Sequence, residues 1–407
     1  MSYITIIVLI LFGFSFTDFI LPKNKTLHEQ LYKIAFFITF FLFTIKYYYG
    51  ADVVNYYKVF NKLPGSFVEV FELTKGKYAF EVGFLYFMAI IKWLGLSYWW
   101  MTAIVSMIYF YAIYKLFELI PSYKILALLI LVLLDYNLIF ATHRQCLAVS
   151  FYILMYFSYI DKKYIKMLIY AILTILMHKS GVICVLPVLF LWSLKFFPKR
   201  RDFLVCLVFL FLMVLIPLQQ ILIHVINILP INVAIKMSLS YHVLFFNRYQ
   251  GILILYSVIL FLLFLLNIDN PIYKKMSVIV FVGAITISVF YQSQAILWRL
   301  RSYFLPFIVV YLFTASHFYI TSNEVTCSRL FNKSGKLVIA IVTIYIMGYS
   351  AKSIYSVNKI MNETPSAIYE KSTIFDLISK DGEEIKSDRL QRAKEYWAWK
   401  KKTLKKK

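Results

Sequence analysis

Apolar residues in this chain fall in long, nearly unbroken blocks, such as 125–134, 203–218, 252–266 and 337–347. A hydrocarbon layer about 30 Å thick needs about 20 such residues in a helix. Backbone polar groups cannot be left unpaired in lipid, so only helices and closed barrels span it. Barrel strands alternate apolar and polar residues, whereas these runs are continuous. The pattern therefore predicts an all-α chain, a polytopic transmembrane helical bundle. Blocks and breakers place spans near 3–21, 31–49, 79–95, 98–118, 124–141, 144–160, 165–177, 180–197, 203–222, 251–268, 276–293, 302–320 and 337–354. That is roughly 11–13 spans on the length criterion. The first block lacks a basic leader and a small-residue cleavage site, so it reads as a span rather than a removable signal.

Polar positions between the blocks set the sidedness. The most basic connections, 23–33, 161–166, 195–202, 269–275 and 329–336, are expected on the cytoplasmic side. Residues 50–78, His143, Arg144, His178, the 222–250 loop and the pair Arg299 and Arg301 then fall outside. A conflict of parity follows. Three blocks, 79–95, 98–118 and 124–141, separate the outer 50–78 loop from outer Arg144, and an odd number of crossings cannot return to the same face. One of them is expected to be re-entrant or interfacial. Block 79–95 is favoured, because Glu81, Lys92 and Gly95 shorten its apolar run. The domain expectation is a membrane domain over 1–354 with a basic tail over 355–407.

Composition agrees and removes other classes. The chain is 61% hydrophobic and only 15% charged, against about 25% charged in soluble domains. The net charge of +23 sits between apolar blocks, which is the positive-inside pattern rather than a nucleic-acid patch. The stretch 386–407, with ten basic and two acidic residues, reads as a solvated or anionic-lipid-facing tail. The four cysteines have no metal-like spacing. No P-loop, dinucleotide fingerprint, HExxH or GxSxG is present, and no acidic DxD-type pair, so no cofactor or metal is expected.

Ionisable residues at or within spans are costly and default to functional candidates. Gly50-Ala51-Asp52, with Tyr56 and Phe60 following, ends a block; Asp52 is a site carboxylate or simply a solvated helix-terminal one. His143-Arg144-Gln145 opens a block, and a helix start suits anions. Arg299 and Arg301 are either bilayer anchors or a clamp on phosphate. His178-Lys179-Ser180-Gly181 interrupts an apolar stretch, which predicts two short helical legs meeting at a polar hinge. Glu81 lies at the outer end of the doubtful block.

With these segments in hand, the chain resembles the EpsG family of Wzy-like polymerases. The resemblance rests on Gly50-Ala51-Asp52 with Tyr56 and Phe60, then Glu81-Val82-Gly83-Phe84. It continues through His143-Arg144-Gln145-Cys146-Leu147-Ala148, Met177-His178-Lys179-Ser180, and the Arg299 to Phe304 segment with Tyr303. Ala51 stands where a threonine is more usual, and Met177 replaces an aromatic. What the resemblance implies is polymerisation of O-antigen, capsule or exopolysaccharide repeat units carried on undecaprenyl pyrophosphate, in the bacterial inner membrane. His178, Asp52 and Glu81 become candidate catalytic groups. Arg144, Arg299, Arg301, His143 and Gln145 become candidate pyrophosphate ligands, with Tyr56 and Tyr303 for sugars. A chain-length regulator and a flippase are the further expected partners. A lipid-linked oligosaccharide transporter and an O-antigen ligase are the competing readings. A transporter should carry internal repeats with broken helices in both halves, and one hinge is visible, without a second copy.

Overall fold

A computed structural model describes residues 3–20, 25–45, 51–74, 80–215, 218–228, 250–265, 271–291, 294–321 and 348. Among these, every regular element is an α-helix, and the chain is an all-α helical membrane protein. The helices are α1 (Tyr3–Ser15), α2 (Thr17–Ile20), α3 (Lys25–Thr44), α4 (Ala51–Lys62), α5 (Phe67–Thr74), α6 (Val82–Trp93), α7 (Tyr98–Phe117) and α8 (Lys124–Ala141). They continue as α9 (His143–Ile160), α10 (Tyr164–Met177), α11 (Gly181–Ser193), α12 (Arg200–Leu215), α13 (Leu218–Ile228), α14 (Gln250–Leu265), α15 (Pro271–Phe290) and α16 (Gln294–Thr321).

The apolar runs sort into centre and rim. Every residue of 125–134 in α8 is buried, because α8 packs against α1, α3, α7's partner α9, and α16. Rim helices do the reverse of soluble ones: Ile165, Leu168, Ile169 and Ile172 of α10 are exposed. Their spacing puts them on one helical face, and that face meets lipid. Three helical stretches among the described residues, Tyr98–Phe117, Tyr273–Phe290 and Ile296–His317, are individually long and apolar enough to cross a bilayer. Some of the other predicted spans are shorter: block 3–21 is divided at Phe16, and the spans 165–177 and 180–197 meet at the break at His178. All of the last predicted span but residue 348, most of the 222–250 loop and the tail lie outside the described residues.

The parity conflict has a structural answer. Glu81, just before α6, ion-pairs with Arg144, while Tyr98, at the start of α7, packs its ring against His143. The chain thus leaves and returns to the same end of the bundle between residues 81 and 98. At 1.5 Å per residue the 12 residues of α6 reach about 18 Å, short of a crossing. The end of α6 is tied to the α4–α5 turn instead. Lys92 Nζ donates to the carbonyls of Asn61 (2.9 Å) and Leu63 (2.7 Å), and Trp93 Nε1 donates to Pro64 (3.2 Å). Helix α4 lies across the start of α7, with Tyr57 and Phe60 against the Tyr98 ring.

Two close approaches require glycine. A Cβ on Gly83 of α6 would stand 2.7 Å from Cβ and 2.8 Å from the carbonyl oxygen of Leu176 in α10. One on Gly283 of α15 would stand 2.6 Å from the Cβ of Phe304 in α16. Only a residue without a side chain lets these helices meet so closely.

Candidate functional site

The chain turns from α8 into α9 through one non-helical residue, Thr142, which delivers His143, Arg144 and Gln145 to the first turn of α9. Arg144 Nη1 donates to Glu81 Oε2 at 2.5 Å and its Nε to the Tyr56 hydroxyl at 3.3 Å. Its guanidinium lies 4.8 Å from the Phe80 ring centre and 5.8 Å from that of Tyr56. The other oxygen of Glu81 accepts the backbone N–H of Lys179 at 3.3 Å. One carboxylate thereby joins the start of α9 to the break between α10 and α11. Gly83 lies two residues beyond Glu81 and Leu176 two before His178, so their close approach fixes this junction.

At the break, His178 is extended and its carbonyl accepts the Gly181 N–H at 2.8 Å. Nδ1 of His178 lies 2.6 Å from Ser180 Oγ, and that hydroxyl donates to the Tyr303 hydroxyl at 3.2 Å. Tyr303 packs edge-on against Tyr152. The Gln145 side-chain amide donates to the backbone carbonyl of Arg299. Helix α16 is therefore tied to α9 at residue 299 and to the hinge at residue 303.

Electrostatics follow from this crowding. Burial alone would raise the Glu81 carboxyl, but Arg144, His178 and the Lys179 N–H together hold it below the usual range. His178 goes down: burial is the largest cause, Glu81 opposes it, and Arg144, Arg299 and Lys179 add to it. Its imidazole is neutral at neutral pH. The side chains of Lys179 and Arg299 are exposed, and among the described residues no carboxylate ion-pairs with either.

The structure gathers the candidates read from sequence, with one exception. Asp52 sits in the first turn of α4, where its charge acts on Tyr56 and Tyr98; the preceding helix, α3, ends at Thr44. His143 is buried beside Tyr56. Arg301 is elsewhere. Its guanidinium donates to the carbonyl of Leu134 (2.7 Å) and the hydroxyl of Tyr256 (3.2 Å), on the far side of α16 from Arg299. Sequence reading did not single out Phe80, Tyr98 or Ser180 as site residues. Phe80 is adjacent to Glu81 and Ser180 is two residues from His178, and that adjacency was the available signal. Among the described residues, no group of three or more His, Cys, Asp and Glu side chains is placed to hold a metal ion.

A helical membrane protein with arginines, a carboxylate and a neutral histidine drawn together at one end of its bundle is the class defined here. The chain belongs to the EpsG family, whose model matches residues 30–365. This is a family of Wzy-like polysaccharide polymerases, and the match takes in every residue of the site. No curated protein and no solved structure matches the chain.

Proposed function

We propose that this protein joins oligosaccharide repeat units carried on undecaprenyl pyrophosphate, working at the external face of the bacterial inner membrane. The observation that carries the reading is one hydrogen-bonded junction of three segments: Glu81 binds Arg144 and the Lys179 N–H beside His178, and Gln145 and Ser180 hold α16 at residues 299 and 303. A glycan transferred from a lipid pyrophosphate leaves negative charge on the departing oxygen. Fixed cations aimed at that charge are the largest source of stabilisation available. In the proposed step, an acceptor sugar hydroxyl attacks the anomeric carbon of the donor glycan. The bond from that carbon to the pyrophosphate oxygen breaks, and the lipid pyrophosphate leaves with the electron pair. The hydroxyl proton goes to His178, which its buried setting keeps neutral and so able to accept it. Glu81 orients the hinge through the Lys179 N–H, buried Tyr56 accepts from Arg144 and so holds it in place, and Asp52 is on the side from which a sugar would approach.

The test is the banding of surface glycan on a gel, from a strain deleted for this gene and carrying single variants. Arg144→Ala and Arg299→Ala are each expected to erase the ladder at normal protein levels, leaving one repeat unit on the lipid carrier. Normal ladders from both variants overturn the reading. Carrier accumulating undecorated on the cytoplasmic side would point to transport instead.

A further inference from the structure

Arg301 looks, in sequence, like a second copy of Arg299. In the structure the two have opposite surroundings. Residues two apart on a helix point about 200° from one another, so with Arg299 and Tyr303 turned to the site, Arg301 faces away from it. It is buried against a break in α8, where Asp135 is non-helical (φ −128°, ψ 25°). The guanidinium meets the carbonyl of Leu134, the residue before the break, and the hydroxyl of Tyr256 from α14. It also lies 5.0 Å from the Trp298 ring centre. The neighbouring Ser302 hydroxyl donates to Asp135 Oδ1 at 2.9 Å. Carbonyls and carboxylates inside a membrane bundle are costly without donors, so α16 and the α8 break are held at one rotation relative to each other.

We propose that Arg301 is a positioning residue: with Ser302 it seats α16 on the α8 break at Asp135 and sets the rotation at which Arg299 and Tyr303 face the site. This rests on the reading that Arg299 meets the lipid pyrophosphate. Three helices share the one guanidinium, and α8 runs directly into the Arg144 turn, so the clamp links both halves of the cationic site.

The test compares full-length variants in lipid nanodiscs, with undecaprenyl pyrophosphate as the binding probe and polymer yield as the activity. Arg301→Met and the double variant Tyr256→Phe, Ser302→Ala should both bind the probe within about twofold of wild type. Their polymer yield should fall by about tenfold or more, because turnover is far more sensitive to misplacement than a flexible headgroup's binding. Arg299→Ala should weaken binding itself by about tenfold, the cost of one charge-assisted contact. Loss of binding in Arg301→Met equal to that in Arg299→Ala would show that Arg301 touches the pyrophosphate. Wild-type yield from the double variant would also overturn the clamp. Since the double variant removes no charge, it decides the matter even where Arg301→Met does not fold. An Arg299→Ala protein with normal binding and yield instead sinks the polymerase reading, a separate failure.

Discussion

The two ends of α8 carry polar clusters built from similar residues to different effect. At its beginning, Asp18 is completely buried; it pairs with His28 and accepts the Leu126 N–H at 2.9 Å. Lys124 pairs with Glu29 at 2.9 Å and lies over the Tyr32 ring. There two acids meet two bases, and a carboxylate sits at a helix N-terminus, where its charge is favoured. At the other end, Arg144, Lys179 and Arg299 all act on one histidine, with Glu81 paired to Arg144 and accepting the Lys179 N–H. A cluster that only holds helices together needs no surplus of cations. The anionic substrate proposed above would answer the surplus at this end.

Breaking each end should therefore give different phenotypes. Arg144→Gln is expected to lower polymerisation by about a hundredfold or more, as for other lost transition-state donors, with little loss of thermal stability. Asp18→Asn should do the opposite. It removes a buried charge-assisted acceptor worth about 1–3 kcal/mol, lowering the melting temperature in detergent while activity per folded molecule persists. If the two variants change activity and stability in the same proportion, the contrast between the ends is wrong.

Gly83→Ala tests how closely the site depends on helix contact. Overpacking of this kind costs about 1–3 kcal/mol, and here it pushes Glu81 away from the hinge, so polymer yield should fall together with stability. Unchanged yield would detach α6 from the chemistry.

A pH profile sharpens the role of His178. Its folded-state affinity for protons is lowered, so the neutral form persists as pH falls through the ordinary histidine value of about 6.5. Stability contributed by the neutral ring is present above that value and is lost as pH drops toward the lower folded one. Polymerisation in membrane vesicles should hold through pH 6.5 and fail only below it. An acid limb at 6.5 or above excludes His178 as the base. The smallest effect belongs to Glu29→Gln, a partly exposed pair worth less than about 1 kcal/mol, read as a slight shift in melting temperature.

Much of this was legible in the chain. Continuous apolar runs announce membrane helices because lipid tolerates nothing else, and the break at His178 shows because four polar or small residues interrupt such a run. The parity conflict was visible as arithmetic. Which block resolves it depended on Lys92 and Trp93 finding carbonyls in the α4–α5 turn, contacts across about thirty positions that no local pattern reports. The two arginines of α16 were visible as a pair, but their division was not. Helical geometry separates their directions, and only the break at Asp135, unmarked by Gly or Pro, decides which one turns inward.

The short helix α6 has a consequence for how the protein is made. Its docking surface on α10, around Leu176, does not exist until about a hundred further residues have been synthesised, and Arg144 emerges on the way. Until then a growing chain holds this lysine-bearing apolar segment only by its ties to the earlier α4–α5 turn. Tyr303, which accepts the Ser180 hydroxyl, arrives later still. Nascent chains that stop short of residue 303 hold Glu81 and Arg144 but lack the Ser180–Tyr303 contact, so the proposed site is completed only late in synthesis.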